Sequence, residues 1–353
     1  MAAAPLSDLE AGLAGEQRPG LVLRRLVAED NGEEQEEVAC PACRSGDSVL
    51  ELETLDWLMG KPGTYRVVRC ARCELRFLNP RPAPEALGAH YPDNYFCYTN
   101  FEGEHGLFRR MMGDIQRKLS LTRLRSIERA LGRLSPGTEV LDVGCGRGDL
   151  LDCLRSERDC RVLGIDFNAN VAETVKQHLR IDVIAGTLVS AALDGGRFDL
   201  VVMAEYLEHE PDPQRILSEA LRVLRPGGHI AIEVPDISGP PSRIFGRFWW
   251  QLDAPRHLMF FTPATLAKML EGVGLEIVSV RRFGRFGSMG YSLLQRLGYR
   301  YAGSNPFFYL FLVWLLSLPF APFTFLLPDF MFVVAKKPLA LPSASTPAPA
   351  LLG

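Results

Sequence analysis

The sequence predicts an α/β fold in which helices cover both faces of a mainly parallel, doubly wound sheet, with a small cysteine-rich module in front of it. Two observations carry this prediction. Apolar strand-like runs alternate with amphipathic helical runs between residues 139 and 234, which is typical of such a sheet. Before that region, four of the eight cysteines form two Cys-x-x-Cys pairs, a pattern typical of a metal site in a reducing compartment.

Five apolar runs are predicted to be the parallel strands, and two later runs are predicted to close the sheet. They cover residues 139–143, 162–165, 183–185, 200–203 and 230–234, followed by 275–280 and 330–335. Apolar residues at helical spacing between 106 and 134 predict a helix that leads into this domain. The main domain is therefore expected to span residues 85–337.

Both ends of the chain have compositions that disfavour a packed core. Residues 1–37 are rich in alanine, glycine and acids, and residues 338–353 in proline, alanine and serine, so both are expected to be disordered tails. The N-terminus lacks the basic region and apolar run of a signal peptide, and we expect a cytoplasmic protein. A net charge of −3 argues against nucleic acid as a partner.

The two cysteine pairs, Cys40 with Cys43 and Cys70 with Cys73, are separated by 26 residues. Each pair can place two thiolates on a tight knuckle, and together the pairs can hold one tetrahedral zinc ion. Four protein ligands leave no open position on the metal, so the predicted role of a zinc ribbon at 38–84 is structural. Four reduced thiols without metal, or a redox pair, are the alternatives.

A glycine-rich loop follows the first predicted strand of the main domain, in the sequence Asp142-Val143-Gly144-Cys145-Gly146-Arg147-Gly148. Glycines in such a strand-to-helix loop let the backbone approach a ligand closely. Asp166 ends the next strand, where a carboxylate can accept hydrogen bonds from both hydroxyls of a ribose. Together the two features predict a ligand that contains adenosine.

The stretch from Asp142 to Val234 resembles the class I S-adenosylmethionine-dependent methyltransferases, which have a Rossmann-like sheet. The resemblance rests on the glycine loop, Asp166, the segment Leu207-Glu208-His209 and the segment Leu224-Arg225-Pro226-Gly227-Gly228. It implies that S-adenosylmethionine is the cofactor and that its methionine part is flanked by Asp142, Gly144, Cys145, Gly146 and Gly148. It further implies that Asp166 holds the ribose, that Phe167 packs on the adenine, and that Glu205 and Tyr206 line the cofactor or substrate side.

More of the chain resembles a subgroup of bacterial methyltransferases from sugar and natural-product pathways, which join a zinc ribbon to the same domain. The matching segments are 78–82, 91–95 and 252–263. This implies a small acceptor that is sugar-like, a glycolipid or a natural product, with Tyr95 and Arg256 as candidate substrate contacts. Sugar C-methylating relatives use a Glu-His pair as the base, whereas Arg256 precedes His257 here, so methylation of a hydroxyl oxygen is favoured.

Methyl transfer to a hydroxyl requires that a proton be removed, and histidine is the natural base near neutral pH. His257 and His209 lie after strand ends or in loops that face the cofactor in this architecture, and they are the candidate catalytic residues. For His257, an orienting or hydrogen-bonding role toward the substrate is the competing interpretation. The remaining histidines, His90, His105, His178 and His229, are interpreted as surface or packing residues.

Residues 303–328 form an uncharged insertion dominated by Phe, Leu, Trp and Val, and the run is long enough for a transmembrane helix. Pro319 and Pro322 interrupt it, and the strand expected at 330–335 must rejoin the sheet, which argues against a simple span. Three interpretations stay open: a bent hairpin that enters a membrane surface through 307–327, a helix pair that covers the core, or a dimer contact. The first would place the protein at the inner face of the membrane.

Two other classes of function compete with a methyltransferase. A nicotinamide-dependent oxidoreductase would use the same loop geometry, but its usual G-x-G-x-x-G spacing differs from the G-x-G-x-G spacing found here. A catalytically inactive protein of this fold could instead serve as a binding or scaffold module. Binding of S-adenosylmethionine or of NAD separates the first two classes.

Overall fold

The computed structural model describes residues 21–28, 32–91, 106–302 and 304–339. Its strands, numbered in chain order, are β1 (Val22–Val27), β2 (Glu34–Val38), β3 (Ser48–Leu55), β4 (Thr64–Cys70), β5 (Arg76–Leu78), β6 (Arg81–Pro82), β7 (Glu139–Val143), β8 (Arg161–Asp166), β9 (Val183–Ala185), β10 (Phe198–Ala204), β11 (Leu224–Pro235), β12 (Met259–Phe260), β13 (Glu276–Phe283) and β14 (Phe330–Lys336). Its α-helices are α1 (Pro84–Leu87), α2 (Gly106–Leu131), α3 (Asp149–Arg158), α4 (Ala169–Leu179), α5 (Pro213–Val223), α6 (Pro240–Phe245), α7 (Pro263–Gly272), α8 (Ser288–Arg296) and α9 (Pro306–Ser317).

A seven-stranded sheet forms the centre of the main domain, in the order β13-β14-β11-β10-β7-β8-β9. The strands from β7 to β11 pair in parallel, whereas β14 is antiparallel to both of its neighbours, β11 and β13. The predicted α/β sheet with a closing pair of strands is therefore confirmed. Because β7, β8 and β10 are parallel, their carboxyl ends meet at one edge of the sheet.

Alternate residues of β10 face opposite layers of helices. Leu200 and Val202 pack in a buried cluster with side chains of α2 and α3, while Val201 and Met203 pack with side chains of α5 and α7. Successive side chains of a strand point to opposite faces of the sheet, so both faces must be apolar when both are covered. This is why the strands of this sheet are continuous apolar runs in the sequence.

The prediction of a disordered tail over residues 1–37 is wrong for the described residues 21–28 and 32–37. β1 and β2 form an antiparallel pair, and β2 also pairs with β6, which makes a three-stranded sheet. One of the acidic residues that predicted disorder is paired inside the fold. Glu36 is fully buried and accepts a hydrogen bond at 2.9 Å from Arg81, which is also buried. Leu21 is also buried in the main core.

The cysteine module shares its sheet with the main domain. Its four strands have the order β12-β5-β4-β3, and β12 comes from residues 259–260, far along the chain. Arg81 extends the connection by donating to the carbonyl oxygen of Pro211 at 2.9 Å. The two segments on either side of the predicted boundary at residue 84 therefore share a sheet and hydrogen-bond to each other's backbone.

The uncharged insertion forms helix α9 followed by a 3-10 helix over Leu318–Leu326. Helix α9 packs on α8, and the two backbones come so close that a Cβ at Gly290 would lie 2.3 Å from the carbonyl oxygen of Val313. Pro306–Leu326 is long and apolar enough to cross a membrane by length and composition, with 17% of its most apolar window buried. The segment therefore pairs with α8 on one side, while most of its apolar surface stays uncovered by the described residues.

Candidate active site

The carboxyl edge of the sheet brings together the acidic residues that the sequence predicted to surround a cofactor. Asp142 lies near the end of β7, Asp166 ends β8, and Glu205 follows β10 directly. The first two are almost fully buried, with 3% and 4% of their surface exposed. This edge is where α/β sheets of this kind bind their ligands.

Asp166 fixes the glycine loop to the tip of β8. One oxygen of its carboxylate accepts the backbone N–H of Gly146 at 2.9 Å, and the other accepts the N–H of Asn168 at 3.0 Å. Burial raises the pKa of this carboxyl, although both hydrogen bonds oppose the rise. A carboxylate has about four acceptor sites, so both oxygens keep capacity for the hydroxyls of a ribose.

Two glycines of the loop adopt left-handed backbone conformations for different reasons. Gly144 has φ +74°, and a Cβ there would lie 2.5 Å from Cδ2 of Tyr206, so only glycine lets this ring cross the loop. Gly146 has φ +49°, and a Cβ there would meet no described atom within 4 Å. The open space beside Gly146 is what a backbone cradle for a ligand requires.

Two other loop residues predicted to bind the cofactor have packing roles in the structure. The side chain of Cys145 points into a buried cluster with Leu151 and Val175, so that only its backbone belongs to the cradle. A Cβ at Gly148 would lie 2.8 Å from Cγ1 of Val175, so the close packing of α3 on α4 requires a glycine at this position. Burial raises the pKa of the neighbouring Asp142 to about 7, against the opposing charge of Arg123.

Aromatic rings line the other side of the cradle. The Phe167 ring makes an edge contact with the ring of Tyr91 at a centroid distance of 5.6 Å. The Tyr206 hydroxyl donates to a carboxylate oxygen of Glu210 at 2.8 Å. A buried carboxylate with spare acceptors, an open glycine backbone and half-buried rings together fit an adenosyl ligand. Tyr91 was missed in the sequence because only its spatial position marks it.

Glu205 belongs to a network of ion pairs at the sheet edge. Its carboxylate forms ion pairs with Arg123 of α2 and with Arg285, which follows β13, and these guanidinium groups also contact Glu233. Burial would raise the pKa of Glu205, but Arg285 and Arg123 lower it to about 2. The carboxylate expected to line the cofactor or substrate side is thus held on the α2 side of the sheet edge. Sequence spacing could not predict these pairs, since both arginines are distant from Glu205 along the chain.

The two candidate catalytic histidines lie side by side. The rings of His209 and His257 are 4.6 Å apart at their centroids and nearly perpendicular. Nδ1 of His257 lies 2.8 Å from the carbonyl oxygen of Gln251, and Nδ1 of His209 lies 3.0 Å from that of Arg256. Because a carbonyl oxygen only accepts, Nδ1 of His257 carries a proton and its Nε2 keeps a lone pair. Nδ1 of His209 also lies 2.9 Å from the hydroxyl of Tyr91, which can donate or accept.

Glu208 completes this cluster. Its side chain is fully buried, and neither carboxylate oxygen has a hydrogen-bond partner among the described residues. Burial lowers the pKa of both histidines, that of His209 to about 3, and raises the pKa of Glu208 well above its usual range. One ligand atom from each of the three residues lies within 4.8 Å of the others, a spacing that could also hold a metal ion.

Comparison with known proteins identifies the domain that carries this edge. Residues 111–280 match the family described as "Methyltransferase domain". Residues 111–280 are a methyltransferase domain. The chain is 32% identical over 173 residues to a probable S-adenosylmethionine-dependent methyltransferase of Mycolicibacterium smegmatis, covering 48% of this chain and 62% of that protein. It is 34% identical over 113 residues to a ubiquinone biosynthesis O-methyltransferase of Coxiella burnetii, covering 31% of this chain and 47% of that protein.

A solved structure agrees with the fold of the methyltransferase domain. The phosphoethanolamine N-methyltransferase 2 of Haemonchus contortus, in complex with S-adenosyl-L-methionine, superposes with a TM-score of 0.50 at 18% identity, covering 74% of this chain and 63% of that one. The prediction of a class I fold, related to S-adenosylmethionine-dependent methyltransferases, is confirmed. The chain spans less than two thirds of the length of the curated relatives given above.

Arg256 does not have the substrate contact expected of it. The side chain is fully buried, and it donates to Asp56 at 3.1 and 2.7 Å and to Asp253 at 3.0 and 2.7 Å. A guanidinium enclosed by two carboxylates has no surface left for a substrate, so the structure gives Arg256 a positioning role beside His257. Tyr95, the other candidate substrate contact, lies outside the described residues.

The four predicted metal ligands meet beside the methyltransferase domain. The Sγ atoms of Cys40 and Cys73 are 3.4 Å apart, those of Cys43 and Cys70 are 3.5 Å apart, and all four lie within 4.8 Å of one another. Zinc–sulfur bonds of about 2.3 Å in a tetrahedron require sulfurs about 3.8 Å apart, so small shifts would fit the ion. The donor set and its closed geometry suit a structural zinc site.

Proposed function

We propose that this protein uses S-adenosylmethionine to methylate a hydroxyl oxygen of a small acceptor of the sugar-like, glycolipid or natural-product class, with His257 as the base. The observation that carries the proposal is the contact of Nδ1 of His257 with the carbonyl oxygen of Gln251, which leaves Nε2 as an acceptor next to His209. The ubiquinone biosynthesis O-methyltransferases among the relatives support oxygen as the methylated atom.

When bound, S-adenosylmethionine supplies an electrophilic methyl group on a sulfonium. The chain's own residues hold and orient it: the carboxylate of Asp166 accepts from the ribose hydroxyls, the backbone at Gly146 approaches the methionine part, and Phe167 packs on the adenine. Tyr206 crosses the loop at Gly144 and excludes water from that side. Positioning donor and acceptor in contact supplies much of the acceleration of such a transfer.

Nε2 of His257 would accept the proton of the acceptor hydroxyl while the methyl group passes to oxygen; the methyl carbon–sulfur bond would break as the carbon–oxygen bond forms, leaving S-adenosylhomocysteine. Nδ1–H of the same ring stays hydrogen-bonded to the carbonyl oxygen of Gln251, which keeps Nε2 directed at the acceptor. The negative charge of Asp253 favours the imidazolium that results, and Arg256 holds Asp253 in place. His209 is the weaker candidate, because burial and its neighbour His257 lower its pKa to about 3.

A methyl-transfer assay tests this assignment. The wild-type protein and the variants His257→Gln, His209→Gln and His178→Gln are incubated with S-adenosylmethionine and a panel of glycosides, glycolipids and phenols, and released S-adenosylhomocysteine is measured. We expect His257→Gln to lower kcat about 10²- to 10⁴-fold with unchanged cofactor affinity, as for loss of a general base. His178 is exposed on α4 and serves as the control. Full turnover by His257→Gln, or loss only in His209→Gln, would contradict the assignment.

We also propose that the cysteine cluster binds a structural zinc ion and that the protein works in the cytoplasm. The proximity of the four thiols and the absence of disulfides among the described cysteines support both statements. Nucleic acid stays disfavoured as a partner, because the net charge is −3. Removing the zinc is expected to loosen β3–β5 and, through the ion pair between Asp56 and Arg256, to weaken the support of the turn that carries His257.

A further inference from the structure

We propose that Pro306–Leu326, here named the apolar arm, docks on the surface of a bilayer that contains anionic lipids. This inference goes beyond the proposed methyl transfer, since it concerns a surface that has no part in that reaction. It selects one of the interpretations that the sequence left open. Three separate observations support it: the exposure of the arm's apolar side chains, the attachment of both of its ends to the domain, and the charges of the segments near it.

The apolar arm uses only one side to contact the rest of the protein. Tyr309, Val313 and Ser317, spaced four residues apart on α9, are buried against α8 and its surroundings. The opposite side carries large apolar side chains that are between 41% and 74% exposed: Phe308, Phe311, Trp314, Leu315, Leu318, Phe323, Phe325 and Leu326. A contiguous patch of this composition is uncommon on a soluble surface that meets only water.

The attachment of both ends to the domain excludes a span and permits docking along the surface. Before the arm, the backbone N–H of Tyr301 donates to the carbonyl oxygen of Leu58 at 3.1 Å; after it, β14 returns to the central sheet. Helix α9 has 12 residues, about 18 Å at 1.5 Å per residue, whereas a bilayer core is about 30 Å thick. The following 3-10 helix contains Pro322, so the chain turns back instead of crossing.

The charges around the apolar arm have a single sign. Residues 237–252 and 277–328, which include α6, α8 and the arm itself, contain no Asp or Glu although the whole chain has a net charge of −3. Outside β13, four exposed arginines in these ranges form no ion pair with any described residue: Arg243, Arg247, Arg296 and Arg300. Arg243 and Arg247 lie on segments that contact α8, Arg296 ends α8, and Arg300 lies shortly before the arm. An apolar surface with these cations, here named the arginine rim, on its neighbouring segments is complementary to lipid tails beneath anionic headgroups.

A second copy of the chain is a poorer occupant for the same surface. In a two-fold dimer each patch meets its own copy, so the arginine rim of one protomer would face the arginine rim of the other. A bilayer offers anions to every arginine and hydrocarbon to every ring. The charge pattern therefore favours the membrane over self-association.

The apolar arm is packed next to the proposed active site. A Cβ at Gly284 would lie 2.2 Å from the carbonyl oxygen of Thr324, so the end of the arm rests directly on this backbone. The next residue, Arg285, pairs with Glu205 at the end of β10 at 2.8 Å. Docking through the arm would thus orient the catalytic edge relative to the membrane.

Vesicle binding tests the proposal with the full-length protein. Co-sedimentation is measured with vesicles of phosphatidylcholine alone and of phosphatidylcholine mixed with phosphatidylglycerol, at low and high salt. We expect binding to the mixed vesicles that weakens with salt, and a blue shift of Trp314 fluorescence that brominated lipid quenches. The double variant Phe311→Ser/Trp314→Ser should lose about tenfold or more of the affinity, and Arg243→Glu/Arg300→Glu about fivefold or more.

Matched controls separate this surface from general stickiness. Val49→Ser/Leu50→Ser removes comparably exposed apolar side chains from β3, and Lys176→Glu reverses an exposed charge on α4. Both should bind like the wild type. Equal binding of the arm variants and the wild type would overturn the proposal. So would absence of vesicle binding together with a dimer, seen by sedimentation, that Phe311→Ser/Trp314→Ser dissolves.

Discussion

Arg256 and Asp56 form a fully buried, bidentate ion pair that joins the cysteine module to the turn carrying His257. Their atoms are 2.7 and 3.1 Å apart, and neither side chain is exposed. Asp253 accepts from the same guanidinium, so one arginine ties together two segments that are 200 residues apart. The module thereby supports the candidate base directly.

Removal of this guanidinium should destabilise the whole protein. Arg256→Ala leaves Asp56 buried without its counter-ion, and loss of one partner of a buried pair costs about 3–5 kcal/mol in free energy of unfolding. Urea denaturation followed by circular dichroism measures the change. Arg125→Ala, at an exposed position of α2, is the control and should change the free energy by about 0.5 kcal/mol or less. Equal stability of the two variants would mean that the pair does not join the module to the turn.

The carboxylate of Asp166 should be required for cofactor affinity. Asp166→Asn keeps the size of the side chain but loses the charge that strengthens hydrogen bonds to the ribose, a loss of about 1.5–3 kcal/mol or roughly 10- to 150-fold in Kd. Calorimetry with S-adenosylhomocysteine measures this. Asp182→Asn, at an exposed position before β9, should bind normally. An unchanged Kd in the folded Asp166→Asn variant would place the ribose elsewhere.

Burial of neutral His209 should make stability fall with pH in the acid range. Its pKa is lowered from 6.5 to about 3 in the folded state, so the unfolded chain binds the proton more readily as the pH drops below about 6.5. The stability is fully present above that value and is lost progressively toward pH 3. Asp142 and Glu210, whose pKa values burial raises to about 7, have the opposite dependence, so the measurement must be a difference.

We expect that difference in a comparison of wild type with His209→Gln at pH 7 and pH 5. Between these two values the wild type should lose more free energy of unfolding than the variant, by roughly 1–2 kcal/mol. His178→Gln, exposed on α4, should follow the wild type. Parallel pH dependence of wild type and His209→Gln would show that His209 is protonated as easily in the folded as in the unfolded state.

The cysteine cluster should need all four of its thiols to hold a zinc ion fully. Elemental analysis of the purified wild type is expected to give about one zinc ion per chain, and Cys40→Ser or Cys73→Ser to give clearly less, with a lower Tm. Cys160→Ala removes a buried thiol outside the cluster and should retain the metal. Full zinc content in both cluster variants would rule out the four-thiol site.

The sequence predicted those parts of the structure in which local pattern and tertiary environment agree. The strands of the central sheet are apolar because both faces are covered, and the glycine loop is marked by residues that its own backbone requires, as at Gly144 and Gly146. The cysteine pairs were found in the same way, since spacing alone brings the thiols together. Each of these signals lies within a short stretch of chain.

The errors arose where polar residues have distant partners. Glu36 belongs to a segment with the composition of a tail, yet Arg81 neutralises it inside a sheet. The resemblance implied a substrate contact for Arg256. Its true carboxylate partner, Asp56, lies 200 positions earlier and could not be foreseen from spacing. Burial of a charge depends on such pairing, which spacing along a single sequence does not reveal.

Recognition of an adenosyl sulfonium at the ends of β7 and β8 is tested most directly by titrating zinc-loaded, full-length protein with S-adenosylmethionine and, separately, with NAD. We predict saturable heat with S-adenosylmethionine and none with NAD at the same concentration. Saturable binding of NAD, or a folded protein that takes up neither compound, would contradict it.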